Sequence, residues 1–196
     1  MIDMSKYTER ARIEGNYIVT GYNKNEKKIN KEVEPSYDLG YVFGSYLSVG
    51  NVNLVTYNNS TRGIVFWYVE SVDSQDRILQ LKHALKNSFN LSFTQRKQKK
   101  ASTYQLVCYS KPLATLLNNF GKKSGLKSLP DEYLFLNEKE YRKGLIKGIE
   151  DFNGHLPDPR DVLKKRKLSI NVVNLYNMLK NYWHIGALML SFLSND

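Results

Sequence analysis

Two glycine-containing segments, 104 residues apart, constrain the fold of this 196-residue chain more than any other feature. Both have helical hydrophobic spacing, and their glycines recur in register: Gly40, Gly44 and Gly50 in the first, Gly144, Gly148 and Gly154 in the second. Glycine destabilises a helix interior, so two glycines one turn apart need a structural reason. They leave a flat strip on which another helix backbone can lie. We therefore expect the first two glycines of each segment to pack the helices together about a pseudo-twofold axis, and the third to cap each helix.

The residues around these segments alternate between helix and strand periodicity. Hydrophobic spacing predicts a helix over 37–49, strands over 52–57 and 64–69, a helix after Asp73 or Ser74, strands over 91–94 and 103–110, and a helix over 112–120. Pro35-Ser36 indicates where the first helix begins. This order is helix, hairpin, helix, hairpin, helix.

Four regions follow from this pattern. They are an N-terminal arm over 1–36 with one short strand at Tyr17–Thr20, a first half over 37–120, a basic linker over 121–136, and a second, shortened half over 137–196. The second half begins with a predicted helix over 137–153. Only 42 residues follow Gly154, so a second pair of hairpins cannot be placed there.

The repeat and the order of elements resemble the LAGLIDADG homing endonucleases in their single-chain, two-motif form. The resemblance implies an α+β fold built as a pseudo-twofold αββαββα repeat, here with its second half shortened. It also implies a monomer whose paired motif helices hold the two halves together. Its implied partner is double-stranded DNA, whose major groove the strands of two saddle-shaped sheets enter to read base edges.

The same resemblance implies a divalent metal, held by the acidic residue just before the last glycine of each motif. This sequence has Val49 at the first such position and Asn153 at the second. Valine cannot bind a cation, and Asn153 is a weak, neutral ligand where Mg²⁺ prefers carboxylates. We therefore expect Mg²⁺ only if the chain is active, and expect DNA cleavage to be impaired or lost. Asp151 lies two residues before Asn153 and is expected to serve packing or capping.

The net charge of +10 supports a polyanionic partner. Residues 94–196 carry 18 basic and 9 acidic side chains, whereas residues 1–93 carry 11 and 10. Strand alternation predicts a DNA-facing set of Asn51, Asn53, Ser92, Thr94, Arg96, Thr103 and Gln105, and basic runs add Lys97, Lys99, Lys100, Lys164, Lys165, Arg166 and Lys167. Lysine and arginine position a protein on phosphates, whereas asparagine and glutamine can read bases.

Several other classes of protein are excluded. One cysteine, Cys108, cannot form an internal disulfide, and His83, His155 and His184 lack metal-ligand spacing. The N-terminus does not resemble a signal peptide, and the longest apolar stretch is too short to span a membrane. We therefore expect an intracellular protein without a membrane partner. Its richness in Asn and Lys, whose codons are A/T-rich, favours a phage-infected bacterium or an organelle matrix.

Two alternatives stay open at this point. One is an active site-specific endonuclease that uses relocated acids, such as Glu150 or Asp158. The other is a non-catalytic protein on the same fold, either a regulator that binds DNA or a splicing helper that binds intron RNA.

Overall fold

The computed structural model describes most of the chain up to Asn153. The described ranges are 1–8, 11–21, 26–57, 60–70, 74–97, 103–120, 122–123, 126–127, 129–134 and 138–153. Several residues singled out by the sequence lie outside these ranges, namely Lys99, Lys100, Gly154, His155, Asp158, Lys164, Lys165, Arg166, Lys167 and His184.

The elements are numbered here in chain order. The strands are β1 (Ile2–Asp3), β2 (Arg12–Glu14), β3 (Tyr17–Thr20), β4 (Lys27–Asn30), β5 (Glu32–Val33), β6 (Gly50–Tyr57), β7 (Ser60–Glu70), β8 (Thr94–Lys97), β9 (Thr103–Tyr109), β10 (Lys122–Lys123) and β11 (Leu126–Lys127). The helices are α1 (Tyr37–Val49), α2 (Gln75–Phe89), α3 (Lys111–Asn118), α4 (Asp131–Leu134) and α5 (Lys139–Asn153), and a 3-10 helix spans Met4–Tyr7. No helix within the described ranges is long and apolar enough to cross a membrane.

An antiparallel main sheet has the strand order β6-β7-β9-β8, and helices cover one of its faces. On that face Val65, Trp67 and Leu106 are fully buried. The Trp67 indole donates a 3.2 Å hydrogen bond to Ser45 Oγ of α1, so its polar edge is satisfied within the core. From α1 to α3 the order is αββαββα, which confirms the α+β fold class that the sequence predicts.

The N-terminal region contains more structure than the predicted arm with one strand. Strands β2, β3 and β4 form an antiparallel sheet, and β1 pairs with β5. Met4, Ile18 and Ile29 are fully buried in the same core as the main sheet. The β2–β3 turn passes through Gly15 with φ +56°, a conformation that favours glycine. The N-terminal strands are only two to four residues long, too short to give a recognisable hydrophobic period in the sequence.

Helix α1 begins as predicted, because Ser36 Oγ accepts a hydrogen bond from the Leu39 amide at 3.2 Å. Its end is also as predicted, since Gly50 is the C-cap and its backbone N–H donates to the Tyr46 carbonyl. With φ −74°, Gly50 leads directly into β6. Glycine suits this position because a Cβ there would lie 2.7 Å from the Tyr46 Cα. At the start of helix α2, Ser74 makes no side-chain hydrogen bond to the helix end, and Asp73, the other predicted cap, lies outside the described residues.

Strand β8 lies three residues further along the chain than the sequence predicts. Thr94 opens it opposite Val107, and Arg96 pairs with Gln105. Leu91, predicted to open this strand, instead buries its side chain from a loop after α2. Arg96 and Lys97, which follow the predicted strand over 91–94, are therefore themselves strand residues.

The region between α3 and α5 packs on the core instead of forming a simple linker. Strands β10 and β11 pair antiparallel, and Leu129 and Tyr133 are buried. The Tyr133 ring lies in an aromatic cluster with Phe43, Phe120 and Tyr141. Edge-to-face contacts of this kind stabilise a core beyond the area they bury, so this region fixes α5 against α1.

Candidate nucleic-acid interface

Helices α1 and α5 cross through their glycines, with backbone against backbone. A Cβ on Gly40 would lie 2.7 Å from Leu145 N, and one on Gly44 would lie 2.9 Å from Ile149 N. The same holds from the other side, where a Cβ on Gly148 would lie 2.9 Å from Ser45 N. A Cβ on Gly144 would meet the carbonyl of Tyr37. Any side chain at these four positions would therefore push the helices apart.

A polar network joins the two helices at one end of this crossing. Tyr41 of α1 donates a 2.8 Å hydrogen bond to Asp151 Oδ2 of α5, while Lys147 Nζ lies 2.7 Å from Oδ1. Burial and this hydrogen bond raise the pKa of the Tyr41 hydroxyl. The bond to Asp151 also raises the pKa of Lys147. Asp151 thus serves the helix interface, in agreement with the packing role predicted for it.

We expect Tyr41→Phe to lower the free energy of unfolding by about 1.5 kcal/mol, because it removes a hydrogen bond to a charged group. Chemical denaturation followed by circular dichroism measures this change. Tyr17→Phe is the matched control, since Tyr17 is exposed on β3, and it should shift stability by less than about 0.5 kcal/mol. Equal effects of the two substitutions would contradict a role for the Tyr41 hydroxyl.

The ends of the paired helices carry cations where a metal site needs anions. Val49 offers no donor atom and packs partly buried against the core. Lys127 Nζ donates to the Tyr46 carbonyl of α1 at 2.8 Å, and Arg77 Nη1 donates to the Asp151 carbonyl of α5 at 2.7 Å. Such cations stabilise the negative end of a helix dipole, and they repel a divalent metal.

The side chains described here do not fit the implied Mg²⁺. Asn153 is the last residue of α5, as the sequence predicts, and its side chain lies outside the described part of the structure. Within the described ranges no three His, Cys, Asp or Glu side chains are grouped closely enough to hold a metal ion. Because Mg²⁺ is bound through carboxylates and waters, we assign no metal-dependent step to this site.

The face of the main sheet opposite the helices, here called the outer face, is open. The cross-strand register places on it Asn51, Asn53 and Val55 of β6, Arg62, Ile64, Phe66, Tyr68 and Glu70 of β7, Thr94 and Arg96 of β8, and Thr103, Gln105, Val107 and Tyr109 of β9. Because side chains alternate along a strand, their neighbours Val52, Leu54, Tyr104 and Leu106 lie on the helix-facing side.

Six side chains of the predicted DNA-facing set lie together on the outer face, each exposed or half-exposed: Asn51, Asn53, Thr94, Arg96, Thr103 and Gln105. Two others do not. Ser92 lies in the loop before β8, because the strand begins later than predicted. Lys97 pairs with Tyr104, which places it on the helix-facing side.

Sequence reasoning missed several residues that shape this face. Gln105 donates to the Tyr68 hydroxyl at 3.1 Å, and Arg96 donates to the Tyr109 hydroxyl at 3.2 Å. Lys27 of β4 donates to the Tyr109 carbonyl at 2.7 Å and lies 5.7 Å from its ring centre. Extending the period-two alternation along β7 and β9 would have found both tyrosines. Lys27 lies far away in the sequence, so no local pattern indicates it.

In the N-terminal sheet, Arg12 contacts Glu14 and Glu26, and Lys28 contacts Glu14. Lys27 of the same sheet instead adds its positive charge beside Tyr109 of the outer face. The hydrogen bond from Lys28 lowers the pKa of Glu14, which keeps that carboxylate ionised. The outer face, which carries Arg62 and Arg96, is therefore the better candidate for contact with phosphates.

Comparison with known sequences gives one distant relative. No known family model matches this sequence. The DNA-directed RNA polymerase subunit Rpo1C of Methanocaldococcus jannaschii is 29% identical over 161 residues, which cover 78% of this chain and 17% of that subunit. The chain thus spans less than a fifth of the curated relative it matches.

Solved structures of the homing endonuclease I-DmoI share the fold. The complex of I-DmoI with DNA and Mn has a TM-score of 0.51 and 18% identity, covering 76% of this chain and 78% of that one. An I-DmoI variant with its target DNA and Mg has a TM-score of 0.52 and 18% identity, covering 76% of this chain and 78% of that one. Mesophilic I-DmoI variants have a TM-score of 0.51 and 17% identity, covering 76% of this chain and 77% of that one. The chain therefore has the α+β fold of LAGLIDADG homing endonucleases such as I-DmoI.

Proposed function

We propose that this protein binds a long, specific site in duplex DNA through the outer face of its main sheet. The observation that carries the proposal is that face itself. Its amide side chains Asn51, Asn53 and Gln105 share one open surface with Arg96, the cross-strand partner of Gln105, while helices cover the other surface. Asparagine and glutamine pair with adenine and arginine pairs with guanine in the major groove, which admits a β-ribbon.

The fold and charge support the same partner. I-DmoI, whose fold the chain shares, is solved in complex with DNA and Mn. The net charge of +10 favours association with a polyanion and gives a salt-dependent affinity. The outer face supplies Arg62 and Arg96 for phosphates or guanine. A monomer with internal pseudo-symmetry is the form we propose, because both glycine helices belong to one chain.

We further propose that cleavage of the phosphodiester bond is impaired or lost. Val49 replaces one motif acid with an apolar side chain, and Asn153 replaces the other with a neutral one. Lys127 and Arg77 bring positive charge to the ends of the same helices. Phosphoryl transfer in a metal-dependent nuclease needs the metal to stabilise the attacking and leaving oxygens, and neither motif position here supplies a carboxylate to hold it.

The test has a binding arm and a cleavage arm. Sites are selected from a random duplex library with the full chain, and one selected duplex is then incubated with the protein in Mg²⁺ or Mn²⁺. We expect a retarded complex whose DNA stays intact on a denaturing gel. Efficient cutting of both strands would contradict the loss of cleavage. Preference for intron RNA over the selected duplex would contradict the choice of partner.

A further inference from the structure

The outer face has an apolar centre, which is unusual for the open side of an antiparallel sheet. Ile64 and Phe66 of β7 point away from the helices and are partly exposed, whereas Val107 of β9 shares this face but is only 2% exposed. We call Ile64 and Phe66 the apolar strip. Antiparallel sheets with one solvated face normally show polar side chains on it. Here the centre of β7, over 64–67, is apolar on both faces, as in strands that are covered on both sides.

The cross-strand neighbours of the apolar strip on β6 are polar and suited to reading bases. Asn53 lies opposite Ile64, and Asn51 lies opposite Phe66. On the other side of the strip, Thr94 pairs with Val107. Directly paired side chains on one face have Cβ atoms about 4.5–5.5 Å apart. An amide and an apolar group are therefore presented side by side twice along the same strand pair.

This spacing matches the chemistry of an A·T base pair in the major groove. Adenine offers N6 and N7 to an asparagine amide, and its paired thymine offers a C5-methyl group, the apolar group of that groove. The charge around the strip favours DNA over an apolar protein surface, because Arg62, Arg96 and Lys27 border it. An apolar strip with an amide row on one side suits a pair that presents a methyl group beside an adenine edge.

We infer that the apolar strip recognises thymine methyl groups, with Asn51 and Asn53 reading the paired adenines, so that A·T pairs occupy the centre of the contacted half-site. This inference rests on the proposed function, because it specifies which bases the outer face selects. It predicts that affinity depends on methyl groups that make no hydrogen bond. Recognition through hydrogen bonds alone would give the same affinity with and without these methyl groups.

The test replaces individual thymines of the selected duplex by deoxyuridine, which removes only the methyl group. We expect one or two central positions at which the Kd of the unmodified protein rises about fourfold per methyl removed. Thymines near the ends of the site should tolerate the change. Fluorescence anisotropy at fixed salt measures both. Because this arm uses the unmodified protein, it does not depend on the folding of any variant.

A variant then locates the contact on the protein. Ile64→Asn should bind the thymine and deoxyuridine duplexes with equal affinity at the position where the unmodified protein discriminates. Ile13→Asn is the matched control, since Ile13 is an exposed isoleucine on β2, away from the outer face, and it should retain the fourfold difference. Unchanged discrimination in Ile64→Asn would overturn the assignment to this strip.

The failure of this inference differs from that of the proposed function. If the protein binds its selected duplex but tolerates deoxyuridine at every position, methyl recognition is wrong and duplex binding stands. If no duplex is enriched by selection, the proposed function itself is wrong.

Discussion

Gly44→Ala is expected to lower the free energy of unfolding by about 3 kcal/mol, the upper range for overpacking, because the atoms it meets are backbone. The new methyl group would meet the Leu145 carbonyl and lie 2.9 Å from Ile149 N. Helix propensity alone predicts the opposite sign, a gain of about 1 kcal/mol. For a chain of this size the loss corresponds to a melting temperature lower by about 6–12 °C. Differential scanning calorimetry measures it.

The control for this substitution is Lys82→Ala on α2. Lys82 is an exposed helix residue, so the change should stay within about 0.5 kcal/mol. A stabilised Gly44→Ala protein would show that the helices do not cross as closely as described. It would also remove the structural reason for the glycine repeat.

The second large effect concerns cleavage. We expect the double substitution of Val49→Asp and Asn153→Asp to produce Mg²⁺-dependent cutting of the selected duplex, at least about a hundredfold faster than the unmodified protein. Losing one preorganised charge-stabilising group at a reacting centre typically costs 10²–10³ in rate, so restoring two should regain at least that. The rate of product formation under single-turnover conditions measures the gain.

Two controls make this result specific. Val49→Asn combined with native Asn153 supplies oxygen atoms without charge, and it should leave cleavage at the level of the unmodified protein. If the unmodified protein already cuts as fast as the double variant, the motif positions are not the metal ligands. Loss of that cutting in Glu150→Ala would then assign the role to a relocated acid.

The glycine repeat predicted the central feature of the fold because its physical meaning is narrow. A helix with glycines one turn apart is destabilised unless another backbone occupies the space, and α5 occupies it against Gly40 and Gly44. Strand periodicity likewise placed Asn51 and Asn53 on the outer face. In both cases a local geometric rule produces the sequence pattern: close helix packing requires glycine, and side chains alternate between the two faces of a strand.

Other features could not be predicted, because tertiary packing decides them. Leu91 fits a strand by its neighbours, but burial under the end of α2 holds it in a loop, so β8 starts at Thr94. The N-terminal strands are short, and their pairing becomes visible only when Ile18 and Ile29 reach the common core. Lys27 meets Tyr109 across 82 residues, a contact that no local pattern encodes.

The polar network at the helix crossing shows a related limit. Its members are distant in sequence, since Tyr41, Arg77 and Asp151 come from three helices. Sequence reasoning assigned Asp151 to packing or capping from its position in the motif, but it could not name Tyr41 as the partner. The cations at the helix ends, Lys127 and Arg77, were likewise not predicted from the sequence.

The central claim is that the outer face reads a specific duplex sequence. The most direct test is the ratio of two dissociation constants at physiological salt, one for the selected duplex and one for a scrambled duplex of equal length and composition. The account predicts a ratio of at least about 10³ for the unmodified protein, falling at least tenfold in Asn51→Ala with Asn53→Ala. A ratio near one would contradict it, because the charge of the chain alone would then explain all of the binding.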